Sequence, residues 1–241
     1  MDISIIITSY NYDQYIQEAI DSCLEQRTKF KYEVIVIDDG SSDKTRKILS
    51  KYSKHCTIIF LENSGVEIAS NFGITKSNAS FLLRLDADDS LKEDFIEKLY
   101  PVIQHSDAAF AFSNYDLIDE SSRLIKPITL PSYSHSEIFQ RGDFLASGTI
   151  LNKKTFHKIG GYNVKNKNCG LENYEIILKF LSSGYEGVFL EENLFNYRLH
   201  SSNMSKERRS NIIDYGQKLF KKEGYGEYST NDNHPYGLKL S

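Results

Sequence analysis

Through the first hundred residues, apolar runs of strand length alternate with apolar residues at helical spacing, and a polar cluster sits at each strand's end. Ile3 to Thr8 is a continuous run rich in β-branched residues, the pattern of a strand covered on both faces. Tyr15, Ile16, Ala19, Ile20, Cys23 and Leu24 follow at helical spacing, with Asn11 as the expected cap and Gln14 three positions on. The unit repeats with a strand over Tyr32 to Ile37, the cluster Asp38-Asp39-Gly40-Ser41-Ser42-Asp43, and a helix bearing Ile48, Leu49 and Tyr52. Thr57 to Leu61 is a third strand, followed by Asn63-Ser64-Gly65 and a helix with Ile68, Ala69 and Phe72; Phe81 opens a fourth strand. Such alternation predicts an α/β fold with a parallel sheet, whose ligands bind beyond the carboxyl ends of the strands. All four polar clusters fall on that edge.

The second half is less regular. A helix is expected over Lys92 to Ile103, a strand over Asp107 to Asn114, a hairpin-like excursion over Tyr115 to Lys126, and a long loop over Pro127 to Ser136 suited to an acceptor-side lid. Gly142 to Leu151 mixes Ser147, Gly148 and Thr149 with apolar residues, and Lys153 to Ile159 reads as a short helix closed by Gly160-Gly161. Leu171 to Leu181 reads as a helix with Glu172 and Asn173 in its first turn; Val188 to Leu190 and Leu194 to Leu199 read as two strands. Ser205 to Lys222 carries six basic residues against two acidic ones, with Ile212, Ile213, Leu219 and Phe220 on an apolar side. Two readings follow for it: peripheral contact with an anionic membrane surface, or docking on the chain's own domain, which is favoured. Gly224 to Ser241 reads as a flexible polar tail.

Composition narrows the class. The 241 residues carry a net charge of −4, which argues against a general nucleic-acid binder. Cys23, Cys56 and Cys169 are odd in number and widely spaced, so neither a disulfide framework nor a zinc site is expected. Met1 and Asp2 lead straight into an apolar strand with no basic leader, and no run approaches a membrane span, so the expected location is cytoplasmic, with the 205–222 segment at the inner face of a membrane under the first of its two readings.

The chemistry concentrates in FLLRLDADDSL, residues 81 to 91. Asp86, Asp88 and Asp89 lie within four positions; on an extended backbone Asp86 and Asp88 project together and can share a hard divalent cation, while Asp89 faces elsewhere. A cation so held keeps positions open for substrate phosphates. The plainer reading is a solvated turn, or Asp89 or Ser90 capping a helix near Lys92.

Taken in order, IIITSYNYDQYIQEAIDSCLEQ at 5–26, EVIVIDDGSSDKT at 33–45, NSGVEIASNFGI at 63–74, LLRLDADD at 82–89, KIGGYN at 158–163 and NYRLHSSNMS at 196–205 resemble an inverting family 2 glycosyltransferase of the GT-A fold, over about residues 3 to 205. The resemblance implies a nucleotide-diphosphate-sugar donor, UDP favoured, a saccharide or lipid-linked saccharide acceptor, and manganese or magnesium. It implies a domain over 1–204, with a nucleotide-sugar-binding half (1–113) and an acceptor-side half (114–204), then a helix and tail over 205–241 that leave a homodimer open. Carried over by position, Thr8, Ser9, Tyr10, Asp38, Asp39, Arg84 and Asp86 belong to the nucleotide site, Tyr10 near the base and Asp39 with Asp38 at its ring N–H. Asp88, with Asp86 and His200, belongs to the metal. As the alternative, Asp38 and Asp39 merely cap the following helix.

One position departs from the family pattern. Where relatives carry Glu-Asp, with the Asp as base, this chain reads Leu171-Glu172-Asn173-Tyr174-Glu175, and an amide cannot accept a proton as a carboxylate does. Three explanations stand: Glu172 or Glu175 substitutes, Glu172 preferred; the chain only binds sugar nucleotide; or Asn173 is an engineered disabling change.

Overall fold

A computed structural model describes residues 1–144, 147–235 and 237–240; Leu145 and Ala146, within the Gly142 to Leu151 stretch, and Tyr236 and Ser241 of the tail lie outside the described residues. The βα units appear as read: β1 (Ile3–Ser9), α1 (Ile16–Leu24), β2 (Tyr32–Asp38), α2 (Thr45–Leu49) with a 3-10 turn over Ser50–Tyr52, β3 (Thr57–Phe60), α3 (Val66–Lys76) and β4 (Phe81–Asp86). They pair as a parallel block in the order β3-β2-β1-β4. Ile3, Ile5 and Ile7 pack on one face with Ile16, Ala19 and Ile20 of α1, while Ile6 packs on the other with Ala69 of α3, as the two-residue alternation of a strand requires. The register sets Thr8 opposite Asp86 and Ser9 opposite Asp38, so three strand ends deliver their polar residues at one level.

Beyond β4 the sheet is mixed. The short β5 (Ser90–Leu91) precedes α4 (Phe95–Gln104); β6 (Phe110–Ile118) and β7 (Leu124–Ile128) form the expected hairpin. Then come α5 (His135–Arg141), β8 (Thr149–Asn152), α6 (Lys153–Lys158), α7 (Glu172–Ser182), β9 (Gly187–Arg198), α8 (Met204–Glu207) and α9 (Arg209–Glu223). β8 runs antiparallel between β4 and β6, β9 parallel to β6, and β5 closes the edge against β9.

Several local expectations need correction. Asn11 does not cap α1: it sits at φ 58° and its side-chain oxygen accepts from Ser42 N at 2.8 Å, stitching the β1 loop to the β2 loop. The two late strands are one, β9, with register shifts against Ser113 to Tyr115 marking the irregular middle. The 127–136 loop is shortened at both ends, by β7 and by α5, whose Ser134 side chain caps Glu137 N. The basic segment breaks at Arg208, and the apolar side of α9 is used internally: Ile212, Gly216, Leu219 and Phe220 are buried. The tail is packed, with Tyr228 5 % exposed, its ring 5.2 Å from Phe220 and its hydroxyl donating to Gly142 O at 2.7 Å. Among the described residues no helix is long and apolar enough to cross a membrane.

Candidate active site

A cavity of about 720 Å³ opens along the carboxyl edge of the sheet. It is lined by Thr8, Ser9, Tyr10, Asp39, Asn63 and Val66 together with Arg84, Asp86, Asp88, Asp143, Ser147 and the first turn of α7. Tyr10 is 46 % exposed there. Asp39 accepts from Ser64 N, Ser64 Oγ and Gly65 N, all within 2.8 Å, and so tethers the entry to α3 instead of capping α2. Gly40 makes this possible: it sits at φ 87°, and a Cβ there would lie 2.7 Å from Asn63 N. Asp38 is fully buried, accepts from Arg46 Nε at 2.8 Å and does not line the cavity.

Arg84 is the hub between β4 and α7. Its guanidinium is 4 % exposed, lies 5.6 Å from the Tyr162 ring and reaches three partners: Asp86 Oδ1 at 2.5 Å, Glu172 Oε1 at 3.1 Å and Asn173 Oδ1 at 2.6 Å. One buried cation thus joins the end of β4 to the start of α7. Burial pushes the Glu172 carboxyl above the usual range; Arg84 opposes this, and nearby Glu67 and Asp86 add to it. Glu172 Oε2 has no hydrogen-bond partner among the described residues. Glu175 is engaged elsewhere, accepting from Tyr215 Oη at 2.5 Å and Asn163 Nδ2 at 3.2 Å and pairing with Lys179 at 3.0 Å, and it does not line the cavity.

The acidic run does not stay extended. β4 stops at Asp86 and the chain turns, with Asp89 N donating to Asp86 O at 3.1 Å, and Asp86 and Asp88 both line the cavity. Asp86 goes to Arg84, whereas Asp88 Oδ2 meets His200 Nε2 at 2.8 Å. Asp89 faces away, accepting from Arg198 N at 3.0 Å; burial and the neighbouring Asp88 and Asp86 hold its carboxyl well above the ordinary range. The Asp88 carboxylate is the hard oxygen donor that manganese or magnesium accepts, with remaining positions for phosphate oxygens and water, and the His200 imidazole stands beside it. A tighter cluster, Glu67, Cys169 and Glu172, fits such an ion poorly: both Glu67 oxygens accept backbone N–H groups, and burial holds the Cys169 thiol protonated.

Residues 4–167 match the model of "Glycosyl transferase family 2". The chain belongs to glycosyl transferase family 2. This glycosyltransferase is 27% identical over 212 residues to the putative teichuronic acid biosynthesis glycosyltransferase TuaG of Bacillus subtilis, covering 86% of this chain and 82% of the relative. It is 29% identical over 215 residues to the O-antigen biosynthesis glycosyltransferase WbnJ of Escherichia coli, covering 85% and 82%. The family's fold is matched by Staphylococcus aureus TarS 1–349 in complex with UDP-GlcNAc, TM-score 0.72 at 16% identity, over 94% of this chain and 67% of that one. It is matched also by the mannosyltransferase PcManGT of Pyrobaculum calidifontis in complex with GDP-Man and Mn2+, TM-score 0.73 at 14% identity, over 96% and 66%.

Sequence reasoning gave this glycosyltransferase no role for Arg198, Asp143, Asn168 or Tyr12. Arg198 is 1 % exposed and donates to Asp88 O at 2.7 Å and Asp119 O at 3.1 Å, so it shapes the turn that presents Asp88. An arginine two residues before His200 was the available signal. Asn168, at φ 49°, accepts from Val66 N at 3.0 Å, and Tyr12 has its ring 6.0 Å from His200; both contacts are long-range and carry no local pattern.

Proposed function

We propose that the chain transfers a sugar from a nucleotide-diphosphate sugar, with UDP as the favoured nucleotide, to a hydroxyl of a saccharide or lipid-linked saccharide, inverting the anomeric carbon. The observation that carries this is the Arg84 hub, which couples Asp86 to Glu172 across one cavity also lined by Thr8, Ser9 and Tyr10. The nucleotide stands at the Tyr10 and Asp39 end, and the sugar toward the first turn of α7. Glu172 Oε2 takes the proton of the acceptor hydroxyl as its oxygen bonds to the anomeric carbon and the bond from that carbon to the diphosphate breaks. General-base assistance of this kind contributes about 10²- to 10⁴-fold. Arg84 holds Glu172 by its other oxygen and keeps Asp86 fixed. Asp88 and His200 would hold a divalent ion, which supplies charge neutralisation at the leaving diphosphate. The names of TuaG and WbnJ support a role in surface polysaccharide synthesis.

A second reading, a sugar-nucleotide-binding protein without turnover, is favoured by Asn173, whose amide oxygen accepts from Arg84 Nη1 at 2.6 Å where the family resemblance places the base. Both readings are tested by thermal shift with UDP, dTDP, GDP and CMP, each with and without manganese. A manganese-dependent rise with UDP is expected: ligand at about 100 times its Kd adds roughly 2.7 kcal/mol, and each kcal/mol moves a chain of this size by about 2–4 °C. No shift with any nucleotide contradicts both.

A further inference from the structure

We infer that Asp143 reads the sugar of the donor, its carboxyl meeting a ring hydroxyl; this rests on the nucleotide-sugar reading above. Three side-chain oxygens of cavity-lining residues are buried with no hydrogen-bond partner among the described residues: Ser9 Oγ, Glu172 Oε2 and Asp143 Oδ2. They come from three walls. Ser9 stands at the nucleotide end and Glu172 is assigned the acceptor proton, which leaves Asp143 without a task. Its cost is plain, because a buried carboxyl oxygen with no partner forfeits its hydration for nothing unless a ligand donor arrives.

The carboxyl is also held in place. Asp143 is 2 % exposed and its Oδ1 accepts from Phe144 N at 2.6 Å. The nearest basic residue in sequence, Arg141, donates through Nε to Glu137 at 3.3 Å. The preceding Gly142 is anchored through its carbonyl by Tyr228, so the segment has little freedom to turn Asp143 away. Ser147, four residues on, accepts from Asp86 N at 3.3 Å, and Asp143 lines the same cavity as Asp86 and Glu172, where the glycosyl group has to sit. Burial lifts its carboxyl to about 8. Near neutral pH it therefore carries a proton and can both accept from and donate to a hydroxyl. A site built to bond a substrate hydroxyl rejects an analogue that misplaces it, because the site's own polar group is then stranded.

The test is calorimetric titration, with manganese present, of the wild type, Asp143→Asn and Asp143→Ala against UDP, GDP, UDP-glucose, UDP-galactose, UDP-N-acetylglucosamine and GDP-mannose. The expected result is that free nucleotide binds all three proteins within about 2-fold, while Asp143→Ala loses roughly 10- to 100-fold toward the preferred nucleotide sugar and discriminates less between sugars. Unchanged sugar preference in both variants overturns the inference and leaves the proposed function standing. So does a wild type that binds nucleotide without discriminating between sugars, or a variant that loses free nucleotide as well, since that marks a structural role. A wild type that binds neither nucleotide nor nucleotide sugar overturns the proposed function and this inference together.

Discussion

The two halves of the sheet solve burial differently. In the parallel block, β1, β2 and β4 are filled by aliphatic residues such as Ile5, Ile6, Ile35, Ile37, Leu83 and Leu85, all at most 1 % exposed, so each strand is a mainly apolar run, broken in β4 by Arg84. In the mixed block the core is aromatic: Phe110 has ring neighbours Phe112, Tyr133, Phe144 and Phe180 within 6.1 Å, drawn from a strand, a loop and a helix far apart in sequence. An aliphatic run announces itself locally, whereas an aromatic cluster is defined by its partners. The first half therefore supplies a rigid, legible ledge of strand ends, and the second supplies the residues that must meet it.

The aromatic block is most vulnerable at Phe110. Phe110→Ala should cost about 3–5 kcal/mol, because the ring fills the space opposite Gly187, where a Cβ would lie 2.3 Å from it; chemical denaturation measures this, and a loss below 1 kcal/mol would mean the aromatic cluster is loosely packed. Gly142→Ala comes next. At φ 79°, with a Cβ only 2.5 Å from Ser229 O, it should lose about 1–3 kcal/mol and loosen the tail, read as faster proteolysis beyond residue 224. Asp143 should make stability depend on pH. Its folded value of about 8 stands above the ordinary 3.8, so the folded state binds that proton more tightly than the unfolded chain. The stabilisation is fully present below about 4 and is lost as pH rises toward 8, and Asp143→Asn should flatten that slope in melts across the range. The smallest effect is expected at Leu124 of the edge strand β7, 62 % exposed, where Leu124→Lys should stay within about 0.5 kcal/mol.

This division explains what was legible. The clusters at Thr8, Asp39 and Asp86 could be placed because periodicity fixed the strands and parallel pairing fixed the edge they share. The turn after Asp86 could not, because Asp88 is positioned by Arg198 and His200, over a hundred residues away. β8 was missed because its four residues lie in a run whose Ser147, Gly148 and Thr149 look like a loop; Gly148 is required there, since a Cβ would fall 2.4 Å from Phe195. The tail was misread because Tyr228 and Leu238 bury themselves singly, leaving no periodic trace.

In the proposed mechanism Glu172, joined to Asp86 through Arg84, does the proton transfer that Asn173 cannot. Its most direct test is turnover of UDP-sugar with manganese, read as UDP release to water or to a saccharide acceptor, for the wild type, Glu172→Gln and Asn173→Asp. The account predicts wild-type turnover that rises with pH through a value above the ordinary glutamate range, a loss of about 10²- to 10⁴-fold in Glu172→Gln, and no large gain in Asn173→Asp. A wild type without turnover that Asn173→Asp awakens would contradict it and mark the base position as vacant.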